Sequence, residues 1–266
     1  MIVTIAGAGR QAEGIAVRIL AGGHKLRLTD SESGRSEPGG AVSLAASLSA
    51  RTGPDAAGAP LEVTVAGIAE AIAGADVVVL ALPYGEGRLV ARDEGAALSG
   101  VIVVDTCNPV DFSTFDSLLT SPGLSAAEEI AEANPAARVV KAFNTCFQSA
   151  LEAGQVGGLP LDVFLAGDDP YAKEKVAVLV RDGGMRPVDT GPLRRARELE
   201  AFQFLHMTLQ GPLGLDWNSA IKLLPLPPAE PAPDGGDRPP AGRDDQQRAG
   251  QDEPDVQGER AVSDER

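Results

Sequence analysis

Short apolar segments alternate with stretches of helical periodicity along most of the chain. The segment at residues 77–82 is the clearest, because it lacks the polar alternation of a strand with one exposed face. Continuous apolar runs are typical of strands that a parallel sheet buries on both faces. The pattern predicts eight strands, at residues 2–6, 24–29, 61–65, 77–82, 101–105, 139–142, 163–166 and 185–188.

Helical periodicity lies between several of these strands, at residues 14–20, 41–50, 66–73 and 171–181. Strands that alternate with helices along the chain form right-handed βαβ units. The sequence therefore predicts an α/β protein with a doubly wound, mainly parallel sheet of the Rossmann type.

The pattern changes after residue 192. Apolar residues recur there at three- or four-residue spacing, as Phe202, Leu205, Leu209 and Leu213, which predicts helices. We expect residues 193–224 to form a small helical cap that covers the sheet or a pocket, or that pairs with a second subunit. Residues 225–266 are rich in Pro, Gly and acidic side chains and hold no aromatic, which predicts a disordered acidic tail.

Composition and charge exclude several classes of partner. The net charge of the 266 residues is −15, which argues against a nucleic acid or an anionic membrane as partner. The two cysteines, Cys107 and Cys146, predict neither a disulfide framework nor a metal centre. We find no pattern typical of a signal peptide or of a membrane span, so we expect a cytoplasmic protein.

A glycine-rich turn follows the first predicted strand. It reads Gly7-Ala8-Gly9-Arg10-Gln11-Ala12, which is the G-x-G-x-x-A form of the dinucleotide fingerprint. The first glycine permits the tight turn, the second lets the backbone approach a pyrophosphate, and the alanine allows close packing of helix on strand. Residues 1–192 are therefore predicted to be a dinucleotide-binding domain.

Asp30, which ends the second predicted strand, bears on the choice of cofactor. It lies 18 residues beyond Ala12, where a carboxylate accepts hydrogen bonds from the adenosine ribose and repels the extra phosphate of NADP. Asp30 alone favours NAD. Because Arg10 or Arg35 could reach that phosphate, NADP stays open, and Asp30 and Ser31 could also simply begin a turn.

Polar residues follow three of the predicted strands. Ligands of open α/β sheets lie beyond the carboxyl ends of the strands, so these residues are candidates for cofactor binding. Amide and hydroxyl groups there would suit a carboxamide such as that of nicotinamide. The candidates are Ala81, Leu82, Pro83, Asn108, Pro109, Asn144, Thr145 and Cys146.

No pairing of a nucleophile with a base, and no metal-binding motif, is recognisable. Lys141 interrupts an apolar strand, which more often indicates a structural ion pair than a catalytic lysine. His206 is interpreted as structural, and both cysteines as small buried groups. We therefore predict no catalytic side chain, because hydride transfer between two redox cofactors depends on binding and orientation.

The segments GAGRQAEG, ADVVVLALPY, VVDTCNP, RVVKAFNT, FLAGDD and VDTGPL together resemble the F-420-dependent NADP oxidoreductases, also called NADPH:F-420 reductases. The resemblance extends to the reductase domains of STEAP metalloreductases and runs from residue 2 to residue 224. It implies a Rossmann domain, a homodimer and direct hydride transfer between a nicotinamide cofactor and the 5-deazaflavin coenzyme F-420 or a flavin-like acceptor.

The resemblance also assigns positions. It implies that the phosphates lie at residues 8–11, and that the nicotinamide lies near Leu82, Pro83, Asn108, Asn144 and Thr145. It implies that the deazaflavin stacks under the cap, around residues 209–215. Family members commonly carry Ser-Arg, which binds the 2′-phosphate, where this chain has Asp30-Ser31, so a preference for NADP does not carry over.

Two other functions compete with this one. A nicotinamide-dependent imine or carbonyl reductase would need a proton donor, for which Lys141 or His206 would have to serve. A non-catalytic dinucleotide-binding module would use the acidic tail as its partner site.

Overall fold

The computed structural model describes residues 1–30, 39–51 and 62–225. Residues Met1–Leu223 form one compact unit, and Leu224–Arg266 form a second. Ser31, Arg35 and the predicted tail from residue 226 onwards lie outside the described residues.

Ten strands are present in the described ranges. They are β1 (Ile2–Ala6), β2 (Lys25–Thr29), β3 (Val63–Val65), β4 (Val77–Leu80), β5 (Ile102–Asp105), β6 (Arg138–Lys141), β7 (Gln155–Val156), β8 (Leu159–Pro160), β9 (Asp162–Gly167) and β10 (Arg186–Asp189).

Eight of these strands form one sheet in the order β10-β9-β6-β5-β4-β1-β2-β3. All neighbours in it are parallel except β6 and β9, which are antiparallel. The strand order reverses between β1 and β4, and in sheets of this kind the crevice at such a reversal is where ligands bind. The predicted α/β fold with a doubly wound, mainly parallel sheet is confirmed.

Helices cover both faces of the sheet. They are α1 (Arg10–Ala21), α2 (Gly40–Arg51), α3 (Ile68–Ile72), α4 (Glu86–Asp93), α5 (Ala126–Ala133), α6 (Gln148–Ala153), α7 (Pro170–Asp182) and α8 (Ala196–Thr208), with a short 3-10 helix at Leu193–Arg195. None of the helices in the described ranges has the length and apolar content that a bilayer span requires.

Each face of the sheet has its own hydrophobic core. One core packs α1, α2, α6 and α7 against the sheet, and the other packs α3, α4 and α5. In the first core α1 and α6 approach very closely, since a Cβ on Gly14 would lie 2.8 Å from the Cβ of Leu151. The sequence pattern did not predict α4, α5 and α6 or the β7–β8 hairpin, all of which are short.

The C-terminal segment is less helical than predicted. Helix α8 ends at Thr208, and the chain continues through turns to Trp217. The stripe of Phe202, Leu205, Leu209 and Leu213 is largely exposed in this chain, although Phe202 meets Phe164 on β9 edge to face at 6.4 Å. The homodimer stays a prediction, as does the division between residues 1–192 and 193–224.

After Trp217 the chain returns to the sheet and is held by Asp162 on β9. The Asp162 carboxylate accepts hydrogen bonds from Arg186, Lys222 and the Leu223 amide. Burial alone would raise the pKa of Asp162, but these donors lower it to about 2. The C-terminal end of the compact unit is therefore tied to the sheet by charge-assisted hydrogen bonds.

A buried ion cluster joins the centre of the sheet to α8. Lys141 on β6 is 0% exposed, and its Nζ lies 2.7 Å from both Asp105 Oδ2 on β5 and Glu200 Oε1 on α8. It also donates to the carbonyl of Cys107 at 2.5 Å. Glu200 accepts the Ala126 amide at the start of α5. The predicted structural role of Lys141 is confirmed.

The charges of this cluster are mutually dependent. Burial would lower the pKa of Lys141, but Asp105 and Glu200 raise it above its usual value. Burial raises the pKa of Glu200, Asp105 acts in the same direction, and Lys141 offsets part of the rise. Removal of the lysine would leave two buried carboxylates without a counter-ion.

We predict that Lys141→Met lowers the free energy of unfolding by about 3–5 kcal/mol, because one partner of a buried ion pair is lost. Urea denaturation followed by circular dichroism measures this change. Without the ammonium the folded-state pKa of the Glu200 carboxyl rises further, so the loss should be largest above neutral pH. It should shrink as the pH falls towards the unfolded carboxyl pKa values near 4, because protonation then removes the buried charges.

The matched control is Lys25→Met. Lys25 pairs with Glu62 at 2.8 Å, but both side chains are more than half exposed, at 59% and 57%. Such surface pairs contribute about 1 kcal/mol or less. Equal losses for the two variants would contradict the role assigned to the buried cluster.

Candidate dinucleotide and acceptor site

The glycine turn between β1 and α1 has the geometry that a dinucleotide requires. Gly7 has φ +109°, and a Cβ there would lie 2.3 Å from the carbonyl oxygen of Ala81. Its amide donates to the Thr29 carbonyl at 2.9 Å, which fixes the turn against β2. Gly9 is exposed, and a Cβ on it would meet nothing within 4 Å. Gly7 is therefore needed for the fold, whereas Gly9 leaves space for a ligand.

The N-terminus of α1 is open to an anion. Gly9 is its N-cap and provides no side-chain acceptor for the first amides. Unpaired N–H groups at a helix start, together with the helix dipole, bind phosphate groups. The turn therefore fits the pyrophosphate of a dinucleotide.

A cavity of about 550 Å³, here called the glycine cavity, adjoins this turn. Its walls come from the glycine turn, from the start of α2 and from the end of β4. Its lining residues are Ala8, Gly9, Glu13, Gly39, Gly40, Ser43, Leu44, Ser47, Ala81 and Pro83. Of the candidates for cofactor binding, Ala8, Gly9, Ala81 and Pro83 meet here.

Asp30 anchors the start of α2. Its Oδ1 accepts the Ala41 amide at 2.7 Å, and its Oδ2 accepts the Gly39 amide at 3.1 Å. Gly39 and Gly40 line the glycine cavity, so the carboxylate lies at its edge. A carboxylate has about four lone-pair sites, which leaves capacity for a ribose hydroxyl. Asp30 thus begins the connection to α2 and also borders the cavity.

A second cavity of about 520 Å³, here called the aromatic cleft, lies on the other side of the α1 N-terminus. It is lined by strand ends, by α6, by α8 and by the C-terminal turn. Its lining residues are Arg10, Gln11, Asn108, Phe112, Asn144, Cys146, Phe147, Gln148, Ser149, Gln203, Met207, Asp216, Trp217 and Asn218.

Amide side chains organise the floor of the aromatic cleft. Gln11 Nε2 donates to the carbonyl of Phe143 at 3.0 Å, and Gln11 Oε1 accepts from Thr106 at 3.2 Å. Asn108 Nδ2 donates to the Asn144 carbonyl at 2.8 Å, and Asn144 Nδ2 donates to Asn108 Oδ1 at 3.0 Å. These bonds tie α1, β5 and β6 together at one edge of the sheet.

The Asn144 side-chain oxygen is the open position of this network. Asn144 is only 1% exposed, and its Nδ2 also donates to the carbonyl of Leu199 at 3.2 Å. Its Oδ1 has no hydrogen-bond partner within the described residues. A buried acceptor without a donor is costly, so a ligand that supplies an N–H group there would be favoured.

Aromatic rings form one wall of the aromatic cleft. Phe147 stacks on His206 at a centroid distance of 4.6 Å and meets Trp217 edge to face at 5.3 Å. His206 Nε2 contacts Ser219 at 2.8 Å, and its Nδ1 contacts Gln203 at 3.1 Å. Burial lowers the pKa of His206. This histidine supports the wall from behind and does not line the cleft.

The candidates are thus divided between two cavities. The aromatic cleft receives Arg10, Gln11, Asn108, Asn144 and Cys146. Six others line neither cavity: Asp30 holds the start of α2, and five are buried, namely Gly7, Ala12, Leu82, Pro109 and Thr145. The hydroxyl of Thr145 contacts Cys146 Sγ at 3.9 Å, so we find no geometry by which it would orient a nicotinamide.

The lining of the aromatic cleft differs from the cap positions that the resemblance implied for the deazaflavin. Residues 209–215 do not line the aromatic cleft, whereas Asp216, Trp217 and Asn218 do. Phe147, Gln203 and Met207 were also missed. Two sequence signals could have pointed to this wall. Phe147 directly follows the polar cluster at the end of β6, and Trp217 is the single tryptophan of the chain.

The lining offers little acid–base chemistry. Burial raises the pKa of the Cys146 thiol to about 12 and that of Cys107 further, so both stay protonated at neutral pH. Within the described residues no group of three His, Cys, Asp or Glu side chains could hold a metal ion. Lys141 is sealed in its ion cluster. The arrangement can bind and align ligands, and among the described lining residues the carboxyl groups are Glu13 in the glycine cavity and Asp216 in the aromatic cleft.

Comparison with known proteins supports this geometry. The sequence profile of the family "NADP oxidoreductase, coenzyme F-420-dependent" matches residues 2–109. Metalloreductase STEAP3 of Rattus norvegicus is 38% identical over 104 residues, which are 39% of this chain and 20% of that protein. The chain thus spans about a fifth of the length of this curated relative.

Two solved structures are also similar. One, assigned as an F-420-dependent NADP reductase of Arthrobacter sp. FB24, is 27% identical with a TM-score of 0.65, over 80% of this chain and 94% of that one. The other, a hypothetical protein of Sinorhizobium meliloti, is 30% identical with a TM-score of 0.61, over 73% of this chain and 86% of that one.

We predict different outcomes for alanine at the two glycines. Gly7→Ala should lower the melting temperature, because its Cβ would collide with the Ala81 carbonyl at a φ that side chains rarely adopt. Gly9→Ala should leave the melting temperature nearly unchanged, since its φ is −77° and its surroundings are open. It should still weaken NADH binding by about tenfold, because the new methyl group fills the space in which the phosphate approaches the backbone.

Scanning calorimetry and titration of each variant with NADH measure these two effects. If Gly9→Ala bound NADH as tightly as the wild type, the phosphate position at the glycine turn would be wrong.

Proposed function

We propose, from the match of residues 2–109 to the model of the F-420-dependent NADP oxidoreductase family, that the chain transfers hydride between a nicotinamide cofactor and coenzyme F-420 or a flavin-like acceptor. One observation carries the proposal. Two cavities of similar size flank the N-terminus of a single helix, α1, one lined by the glycine turn and the other by aromatic rings and amides. Two ligands bound there would meet at the α1 N-terminus.

The nicotinamide end of the dinucleotide is proposed to enter the aromatic cleft past Gln11. There Asn144 Oδ1, which lacks a donor within the described residues, accepts an N–H of the carboxamide. Asn108 holds Asn144 in position through the reciprocal hydrogen bonds. The ring is thereby fixed in one orientation, which is the main contribution a protein makes to hydride transfer.

The chemistry itself comes from the two bound rings. A bound reduced nicotinamide would supply a hydride to the acceptor ring, at carbon in the 5-deazaflavin F-420 or at nitrogen in a flavin, and a proton from water would complete the two-electron reduction. The residues of the aromatic cleft align the rings and limit the access of water. No side chain has to change its protonation state, which agrees with the thiol pKa values and with the sealed Lys141.

An imine or carbonyl reductase is less well supported. Such an enzyme needs a proton donor beside the reacting carbon. Lys141 is 0% exposed, and His206 is covered by Phe147, so neither side chain reaches the aromatic cleft. No observation favours the non-catalytic module over the enzyme.

We predict that the wild-type protein oxidises NADH or NADPH when F-420 is present. Stopped-flow absorbance measures the rate, and cofactor deuterated at the nicotinamide C4 tests the route. Direct transfer should carry the deuterium into reduced F-420, as mass spectrometry would detect. FMN in place of F-420 is the parallel acceptor. The proposal fails if neither nicotinamide is oxidised by either acceptor.

NAD(H) is the proposed nicotinamide cofactor, because the Asp30 carboxylate lies at the edge of the glycine cavity. It would repel a 2′-phosphate, whereas it can accept hydrogen bonds from ribose hydroxyls. Glu13 also lines the glycine cavity, but its carboxylate pairs with Arg51, and Arg10 lines the other cavity, so the preference is assigned to Asp30.

We predict that Asp30→Asn lowers the preference for NADH over NADPH by roughly fivefold to tenfold, or about 1–1.4 kcal/mol. The amide oxygen should still cap α2 through Ala41, so the fold should persist. Dissociation constants for both cofactors provide the measurement. Asp93→Asn, which removes an exposed carboxylate paired with Arg92, is the control and should change neither constant. Tighter binding of NADPH than NADH by the wild type would contradict the assignment.

A further inference from the structure

The position of Arg10 does not fit the binding of a phosphate on the adenosine ribose. It is the first residue of α1, it is exposed, and it lines the aromatic cleft. It is absent from the lining of the glycine cavity. Its guanidinium makes no hydrogen bond or ion pair with any described residue, so it is available to a ligand of the aromatic cleft.

The electrostatic surroundings make this cation important. Among the lining residues of the aromatic cleft, Arg10 is the only cation and Asp216 the only carboxylate. The whole chain carries a net charge of −15. An anion that enters the cleft would therefore be repelled by the protein as a whole and attracted only locally, at Arg10. Arginine suits this role because its planar fork binds phosphate or carboxylate in a bidentate manner.

The rest of the aromatic cleft fits a flat ring. Trp217 is 47% exposed although it touches Phe147, and Phe112 is 70% exposed. Asp216 and Trp217 both have positive φ, +48° and +58°, which is rare for two successive side chains. The Ser149 hydroxyl holds the Trp217 carbonyl at 3.1 Å. The unpartnered Asn144 oxygen lies in the same cleft and is already assigned to the nicotinamide carboxamide, so a second ring bound there would meet the nicotinamide.

We propose that Arg10 and Trp217 form the subsite for the second redox substrate, which is a planar heteroaromatic ring with an anionic group on its side chain. Trp217 contacts the ring, and Arg10 binds the anionic group. This inference rests on the proposed function, because it names the acceptor class for the same site. It makes Arg10 a specificity-determining residue for the acceptor and assigns it no role in the choice between NAD and NADP.

Trp217 provides a direct optical probe, because it is the only tryptophan in the chain. Its fluorescence is titrated with FMN, which carries a phosphate, and with riboflavin, which is the same ring system without it. Saturating NAD⁺ is added in a parallel series, so that the flavin cannot occupy the nucleotide site. We expect both flavins to quench Trp217, and FMN to bind roughly fivefold to tenfold more tightly than riboflavin.

Arg10→Ala should remove the advantage of FMN and leave riboflavin binding within twofold of the wild type. Arg10→Lys should recover part of it, since the charge returns without the bidentate geometry. The control is Arg88→Ala, which removes an exposed arginine that lines a separate cavity between α4 and α5. It should change neither titration. The FMN advantage should also shrink at high salt, because screening weakens an exposed ion pair.

Three results would overturn the inference. The first is an Arg10→Ala variant that binds FMN and riboflavin with the same ratio as the wild type. The second is a loss of NADH affinity in Arg10→Ala with FMN affinity intact, which would assign Arg10 to the dinucleotide. The third is the absence of Trp217 quenching by FMN, riboflavin and F-420 alike.

Failure of the proposed function would look different. If FMN binding depends on Arg10 but no hydride passes from NADH or NADPH to any acceptor, the subsite stands and the enzymatic proposal falls. If hydride passes to F-420 or FMN at rates that Arg10→Ala does not change at any acceptor concentration, the enzyme stands and the assignment of Arg10 falls.

Discussion

The buried Lys141 is the group on which the geometry of the site depends most. Its ammonium sits where β5, β6 and α8 meet and holds one carboxylate from β5 and one from α8. A charge in this position is tolerated only when its partners are fixed, because an unpaired buried charge costs several kcal/mol. The cluster therefore sets the distance of α8 from the strand ends. Gln203 and Met207, which lie further along α8, reach the aromatic cleft from that anchored position.

The N-terminus of α1 divides the site into its two halves. Gly7 allows the chain to turn against the Ala81 carbonyl, and Gly9 leaves the helix start open. The next two side chains, Arg10 and Gln11, turn towards the aromatic cleft, where Gln11 ties the helix to the ends of β5 and β6. One short segment thus offers backbone amides to one ligand and side chains to another. The arrangement suits a reaction whose main requirement is that two rings meet in a fixed orientation.

The match to the family profile ends at residue 109, at the end of β5. The part of the aromatic cleft built by α6, α8 and the C-terminal turn lies beyond it. The glycine cavity is lined by residues within the matched range. The aromatic cleft combines Arg10, Gln11 and Asn108 from that range with residues of the C-terminal half, so its lining is built from both parts of the chain. The function of such a site depends on these particular residues and not on the fold alone.

The sequence by itself determined the fold class, the glycine turn and the structural role of Lys141. Apolar periodicity indicates the fold class, the backbone freedom of glycine indicates the turn, and the cost of a buried charge indicates the ion pair. All three are local properties of the chain. It also placed Asn108 and Asn144 at strand ends. Only the tertiary structure decided that Arg10 faces the aromatic cleft, that Asp30 caps α2, and that Trp217 and Phe147 form a wall. Trp217 lies 70 positions after Phe147 in the chain. No spacing rule relates two such residues, since their contact depends on where α8 ends and how the chain returns to the sheet.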